Sequence, residues 1–159
     1  MKKILLVLGL AVILASSSQA LIFGAEVGGM PYIGFQLNEN QVIDVGLSYN
    51  SQNDGDATNL TFLGRFENKI ADVKKLKLSW AGQLTFGSAK TTFAGASTTT
   101  TTITLAGLVG AEYKITDALG FYGYLNLLNY QTVSNGGSAA SYWLLTGPAL
   151  AYTGFKIYL

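Results

Sequence analysis

The sequence predicts an all-β protein: an antiparallel up-and-down transmembrane β-barrel of about eight strands, preceded by a cleaved signal peptide. Three observations predict this class. An amino-terminal export signal precedes a chain in which no apolar run reaches the length of a membrane-spanning helix. Apolar and polar residues then alternate along segments of about 10–15 residues, long enough for a tilted strand to cross a bilayer. Short turns alternate with longer loops, as in membrane barrels.

Composition excludes several kinds of site. The 159 residues include neither Cys nor His, so disulfides, thiolate metal sites and an amino-terminal lipoprotein anchor are impossible. Only 12% of the residues are charged and 49% are apolar, which is a low charge content for a soluble surface. The net charge of +1 gives no indication of a nucleic-acid partner. We expect no cofactor.

Residues 1–20 are predicted to be a signal peptide. Two lysines precede an unbroken apolar run over Ile4–Ala15, and Ser18 and Ala20 supply the small residues of a cleavage site. The run is too short to be a membrane anchor, because about 20 residues are needed to span hydrocarbon. The mature protein is then residues 21–159, the barrel itself, exported from the cytoplasm.

Period-two alternation predicts each strand in turn. The clearest segment is Lys75–Gly87, in which Leu78 and Trp80 alternate with Lys77 and Ser79. The alternation is least regular in Leu119–Val133, where tyrosines and leucines fall on both faces. The other predicted strands are Leu21–Gly28, Pro31–Asn38, Gln41–Asn50, Thr58–Glu67, Thr101–Ile115, Leu119–Val133 and Ala149–Leu159.

The predicted connections alternate in length along the chain. Asn38–Asn40 and Thr116–Ala118 are predicted to be tight turns, and Asn68–Lys74 a slightly longer one. These short connections belong on the periplasmic side of a bacterial barrel, and longer loops belong outside. The predicted outer loops are rich in Gly, Ser, Thr, Asn and Asp, and they are Ser51–Ala57, Ser88–Thr100 and Ser134–Ala139.

Two segments leave the topology open. If both termini are periplasmic the strand count is even, so the short segment Leu21–Gly28 is needed as a strand. Near the other end, Pro148 cannot donate a hydrogen bond to a ladder. If Ala149–Leu159 crosses the bilayer, Pro148 falls at the extracellular rim. Ala140–Gly147 then either extends above that strand or forms a bent rim segment.

The chain ends in a pattern formed by Tyr152, Gly154, Ile157 and Leu159. It resembles the terminal signature of outer-membrane barrels, in which Leu159 stands where Phe is commonest. Together with the signal peptide, the chain resembles the small porin-like bacterial outer membrane protein β-barrel domain family of the eight-stranded type. The resemblance implies that the protein resides in the bacterial outer membrane, among its lipids, and that the barrel-assembly machinery recognises the chain end.

The polar faces predict the contents of the barrel. An eight-stranded barrel is just wide enough for side chains to fill, and an unpaired buried charge is costly. We therefore expect a network of ion pairs and hydrogen bonds, in which Arg65 lies near Glu67 or another acidic residue. The residues predicted to point inward are Glu26, Gln36, Asp44, Arg65, Glu67, Lys77, Gln83, Glu112, Asn126 and Lys156.

Aromatic residues on the apolar faces are expected at the level of the lipid headgroups, where an amphipathic ring is favoured. An ordinary lipid-facing position is the alternative for each of them. These residues are Tyr49, Trp80, Phe86, Tyr113, Phe121 and Trp143.

The sequence predicts a structural or surface-interaction role for a barrel with a filled lumen. A narrow pore or transport barrel for small solutes or apolar molecules is the alternative. An enzyme is not expected, because a proton relay that needs histidine cannot be built and no phosphate loop or metal-ligand cluster is present. A soluble periplasmic barrel with its apolar stripe turned inward is a third possibility. Its exterior would then be dominated by Gly, Ser, Thr, Asn and Gln.

Overall fold

The computed structural model describes residues 20–26, 30–52, 57–135, 138–144 and 149–159. Most of the predicted signal peptide therefore lies outside the described residues. None of the described segments forms a helix with the length and hydrophobicity that crossing a bilayer demands. The strands are β1 (Ala20–Glu26), β2 (Pro31–Asn38), β3 (Gln41–Gln52), β4 (Ala57–Val73), β5 (Leu76–Phe93), β6 (Ala96–Thr116), β7 (Leu119–Asn135), β8 (Ser138–Leu144) and β9 (Ala149–Tyr158).

The antiparallel sheet closes into a ring. β1 pairs with β2 along one edge and with β9 along the other, so that Phe23 lies opposite both Ile33 and Ile157. β2 to β7 follow in chain order, and β7 then pairs with β9, which places Leu119 opposite Ile157. The prediction of an all-β antiparallel barrel of about eight strands is confirmed. The short segment at 21–28 does contain a strand, and that strand closes the ring.

β8 and β9 share one position in the ring. β8 pairs with the distal half of β7, where Tyr130 is opposite Trp143. β9 pairs with the proximal half, where Tyr124 is opposite Tyr152. Pro148 lies outside the described residues. The described part of this segment, residues 140–144, therefore continues beyond β9 along the same neighbour, as in the first of the two predicted paths. Residues 145–147 lie outside the described residues.

The turns define two ends of the barrel. Tight turns at residues 39–40 and 117–118 are confirmed, and we call their end the turn side and the opposite end the loop side. The predicted loop Ser88–Thr100 is wrong, because β5 and β6 continue as a hairpin to Ala94 and Gly95. These two residues have φ of 49° and 80°, and two successive positive φ values are typical of the type I′ turns that connect hairpins.

The wall is uneven in height. β5 and β6 contain 18 and 21 residues, whereas β1 and β2 contain 7 and 8. Threonine-rich segments that resemble loops in composition instead extend the strands, because threonine has a high β-propensity. The described residues of the predicted loop Ser134–Ala139 likewise lie in strands, and the predicted turn Asn68–Lys74 is mostly the end of β4. One side of the ring thus extends well past the other on the loop side.

A β-bulge explains the blurred alternation in β7. Gly107 lies opposite Leu128 and Leu108 opposite Asn126, so Leu127 is an extra residue on the bulged strand. Leu127 and Leu128 are both exposed, although neighbours in a regular strand point to opposite faces. Beyond the bulge the odd-numbered residues of β7, rather than the even-numbered ones, face the interior.

The described part of the barrel has polar residues inside and apolar residues outside. Asp44, Arg65 and Lys156 are at most 1% exposed. Large apolar side chains cover the outer wall, and those that are 40% or more exposed include Leu47, Trp80, Leu105, Phe121, Phe155 and Ile157. The alternative in which the apolar stripe turns inward, as in a soluble barrel, is therefore wrong.

Candidate functional site: the barrel interior

The residues predicted to point inward lie on the inner face of the ring. Glu26 and Lys77 are partly buried there, and Gln36 lines the mouth on the turn side beside Val42 and Tyr158. The remaining seven are no more than 8% exposed, and they are Asp44, Arg65, Glu67, Gln83, Glu112, Asn126 and Lys156.

Arg65 makes the central ion-pair cluster. It lies directly opposite Asp44 in the β3–β4 ladder, and its Nε and Nη2 donate to Asp44 Oδ2 at 2.9 and 2.8 Å. Its Nη1 donates to Glu26 Oε1 at 2.9 Å, which links β4 to β1 across the barrel. The acidic neighbours of Arg65 are therefore Asp44 and Glu26 rather than Glu67. Glu67 lies two residues further along the same strand, where it meets lysines instead.

Three tyrosine rings surround the Arg65 guanidinium. Its central carbon is 5.1, 5.4 and 4.9 Å from the ring centroids of Tyr32, Tyr122 and Tyr124. A planar guanidinium stacks favourably on aromatic rings. Tyr122 also packs against Tyr32 and Tyr124 in edge-on geometry. Arg65 and the three rings, which we call the arginine–tyrosine plug, fill the middle of the barrel.

A second cluster of charges lies closer to the turn side. Lys156 Nζ donates to Glu67 Oε2 at 2.6 Å, and Lys77 Nζ lies 2.7 Å from Glu67 Oε1. The same two ammonium groups are 3.8 and 3.9 Å from Glu112 Oε2. Two glutamates and two lysines from four different strands therefore neutralise one another. Full pairing of this kind is what makes charges tolerable in a buried site.

The Tyr124 side chain joins the two charge clusters, and the Tyr158 hydroxyl adds to the second. The Tyr124 hydroxyl donates to Glu67 Oε2 at 2.5 Å while its ring contacts Arg65. The Tyr158 hydroxyl donates to Glu112 Oε1. The periodicity of the sequence did not identify Tyr124 as a member of the network, because it falls in a segment of β7 where both faces carry large side chains. Tyr158, in β9, was likewise not among the residues predicted to point inward.

Glycines make room for the plug. A Cβ at Gly154 would overlap the Ala25 carbonyl oxygen and the Tyr122 hydroxyl, and a Cβ at Gly110 would overlap the Tyr124 ring. A residue with a side chain at either position would need the neighbouring strand or ring to move. Gly154 of the chain-end pattern thus has a packing role in this barrel.

The four residues of the chain-end pattern divide between the two faces. Tyr152 packs against the buried interior cluster, next to Gly154 on the same face. Ile157 and Leu159 are exposed on the outside. The backbone amide of Leu159 donates to the Leu21 carbonyl at 3.0 Å, which fastens the chain end to β1. Recognition of this pattern by the assembly machinery stays a prediction.

The interior on the loop side of the plug carries no charged residue from the predicted set. Gln83 donates from Nε2 to Thr85 Oγ1 at 3.3 Å, and Leu63, Ala106 and Leu108 are buried nearby on the inner face. Within the described part of the chain, no three acidic side chains come together as a metal site would require. The ion pairs and packed rings of the described interior fill space and hold strands together.

No family model matches the sequence, and the comparison with curated proteins gave no match. Among solved structures, the chain is similar to the crystal structure of Neisserial surface protein A (NspA), with 16% sequence identity and a TM-score of 0.49. The similarity covers 87% of this chain and 91% of that chain.

Proposed function

We propose that this protein is an integral outer-membrane β-barrel with a structural or surface-interaction role. The distribution of its side chains carries the proposal. Arg65 and Lys156 are enclosed within the ring, whereas Trp80 and Phe121 are 44% and 50% exposed on the outer wall. A continuous apolar wall of this kind would drive aggregation in water but is well solvated by acyl chains. The closed ring also satisfies backbone groups between strands, as lipid requires.

Three features favour the bacterial outer membrane as the location. Residues 1–20 have the pattern of an export signal, and the chain-end pattern from Tyr152 to Leu159 resembles that of outer-membrane barrels. The turn side has tight connections and the loop side has taller strands, in the arrangement of such barrels. We expect the barrel-assembly machinery to act on the chain and outer-membrane lipids to surround it.

The plug favours a closed lumen over a narrow pore. Each of the four inward carboxylates has a cationic nitrogen within 3.8 Å. Arg65 and the three tyrosine rings occupy the middle of the barrel, where an ion path would have to pass. Opening such a path would separate buried charge pairs, which is energetically costly. The tall strands on the loop side are then the part available for contacts with other molecules.

Electrophoresis and bilayer recording test the proposal together. We expect the detergent-extracted protein to migrate differently when it is boiled, and the folded form to insert into planar bilayers without conductance above leak. Recovery of the protein in the periplasmic fraction without detergent would contradict the membrane location. A heat-dependent shift together with steady conductance would instead support the pore.

A further inference from the structure

Cationic side chains are concentrated at the turn side of the barrel. Lys69 and Lys77 are already paired with carboxylates at 2.7 Å. Among the described residues, no carboxylate lies within ion-pair distance of Lys74 or Lys75, which are exposed at the β4–β5 turn. The mouth on this side is lined by more lysines than acidic residues: Lys69, Lys74, Lys75, Lys77 and Lys114, with Glu39 and Asp72.

An apolar groove of about 570 Å³ runs along the outer wall beside this turn. Leu76 borders both the groove and the lysine-lined mouth, and it directly follows Lys74 and Lys75 in the chain. Ala111 and Gly123, which lie opposite each other in β6 and β7, leave the groove without bulky side chains at its centre. Its larger lining residues are Ile70, Leu78, Val109, Tyr113, Phe121 and Leu125.

A second outer groove has a similar volume but no such lysines. It encloses about 540 Å³ and passes over Gly82 and Gly107. The cationic residue among its lining residues is Arg65, whose side chain is inside the barrel and bound to Asp44. The two grooves therefore differ in charge at their ends far more than in size, so the first groove should be selective for the charge of its occupant.

We propose that the first groove and the Lys74–Lys75 turn together bind a glycerophospholipid with an anionic headgroup from the periplasmic leaflet. One acyl chain lies in the groove, and the phosphate meets the two ammonium groups. The lipid has an apolar tail next to an anionic headgroup. The outer wall has an apolar groove next to lysines that have no carboxylate partner among the described residues. Basic residues beside a membrane surface attract anionic lipids. The inference rests on the proposed function, because only a membrane barrel presents its turn side to this leaflet.

Native mass spectrometry of the folded full-length mature protein tests the proposal. The probes are dioleoylphosphatidylglycerol and dioleoylphosphatidylcholine, which share acyl chains and differ in headgroup charge. We expect the anionic lipid to bind at least tenfold more tightly. The double variant K74N/K75Q should lose most of this preference, about fivefold for each lysine. Asn is chosen for Lys74 because that residue has φ of 59°, a conformation that Asn tolerates.

Two matched controls make the test specific. K90Q removes a lysine of the β5–β6 hairpin on the loop side and should leave the preference unchanged. A111L fills the proposed groove and should weaken binding of both lipids, whereas G82L fills the second groove and should not. All variants are first checked for the heat-dependent shift on gels, so that only folded barrels are compared.

Three results would overturn the inference. They are equal affinities for the two lipids, a loss of preference in K90Q as large as in K74N/K75Q, and equal effects of G82L and A111L. Each leaves the membrane barrel itself in place as long as the wild-type protein inserts and shows the heat shift. If the wild type neither inserts nor shifts, the proposed function fails first and the lipid site fails with it.

Discussion

The plug and the β5–β6 hairpin belong to the same sheet but obey different constraints. Inside the ring, Arg65 is 1% exposed and bound to carboxylates from two other strands. At the tip of the hairpin, Phe93 is 84% exposed, and Lys90 and Thr91, on opposite faces of the strand, are both exposed. An interior residue must fit the enclosed space, and its charge must be paired. A residue of the hairpin needs only to continue the backbone hydrogen bonds between β5 and β6.

The plug therefore stabilises the closed ring, whereas the hairpin is surface available for contacts. Lys156 and Arg65 connect strands that are far apart in sequence, so the plug supports the closed ring. The hairpin pairs only with its own two strands and their neighbours. We therefore expect changes inside the ring to affect stability and closure, and changes beyond it to affect surface contacts. Three variants test this contrast, from the largest expected effect to the smallest.

Replacing Arg65 by Met should have the largest effect. The variant leaves the carboxylates of Asp44 and Glu26 without their cation, and breaking a buried pair in this way costs about 3–5 kcal/mol. Urea unfolding in lipid vesicles, followed by tryptophan fluorescence, measures the loss. The triple variant R65M/D44N/E26Q should recover part of it, because the unpaired charges are removed together.

The control for Arg65 is the exposed pair Lys69–Asp72. Its two charged atoms are 2.7 Å apart, but the aspartate side chain is 53% exposed. Exposed pairs contribute about 0–1 kcal/mol, so K69M should unfold nearly as the wild type does. If R65M and K69M had equal stability, the interior network would not be what holds the ring together.

Replacing Gly154 by Ala should have an intermediate effect. The added Cβ overlaps the Ala25 carbonyl and the Tyr122 hydroxyl, and overpacking of this kind costs about 1–3 kcal/mol. G82A provides the matched control, because a Cβ at Gly82 meets no atom within 4 Å. The same urea titration compares them. A G154A barrel as stable as G82A would show that the two strands separate easily at this point.

Shortening the β5–β6 hairpin should have the smallest effect. Removing Thr92, Phe93, Ala96 and Ser97 while keeping the Ala94-Gly95 turn deletes two cross-strand pairs that lie past the ends of the β4 and β7 ladders, without changing the register below. Because these pairs lie beyond the ring, we expect the free energy of unfolding to change by less than about 1 kcal/mol. Loss of the heat-dependent gel shift in this variant would mean that the hairpin is needed to close the barrel.

Much of the fold could be predicted from alternation, since period-two patterns determine which residues share a face. Asp44, Arg65 and Lys156 could therefore be assigned to one inner surface before any partner was known. Which of them pair could not be predicted, because pairing depends on register and strand order. The pairing of Glu67 with Lys156 joins residues 89 positions apart.

Two features of the fold could not be predicted from the sequence, for physical reasons. The bulge at Leu127 shifts the alternation by one residue. A strict period of two therefore could not assign the residues of β7 to one inner and one outer face. The threonine-rich stretch Ser88–Thr100 has the polarity of a loop but the propensity of a strand. The polarity of this stretch correctly predicted that it is exposed. It did not predict that the stretch continues the ladder between β5 and β6.

Quenching of tryptophan fluorescence by brominated lipids tests the central claim most directly. Trp80 and Trp143 are the two tryptophans of the chain, and both point outward. In the variant W143F, which retains Trp80, we predict strong quenching by bromine atoms on the acyl chains and weak quenching by aqueous acrylamide. Strong quenching by acrylamide with no effect of the brominated lipid would contradict the claim that acyl chains cover this wall.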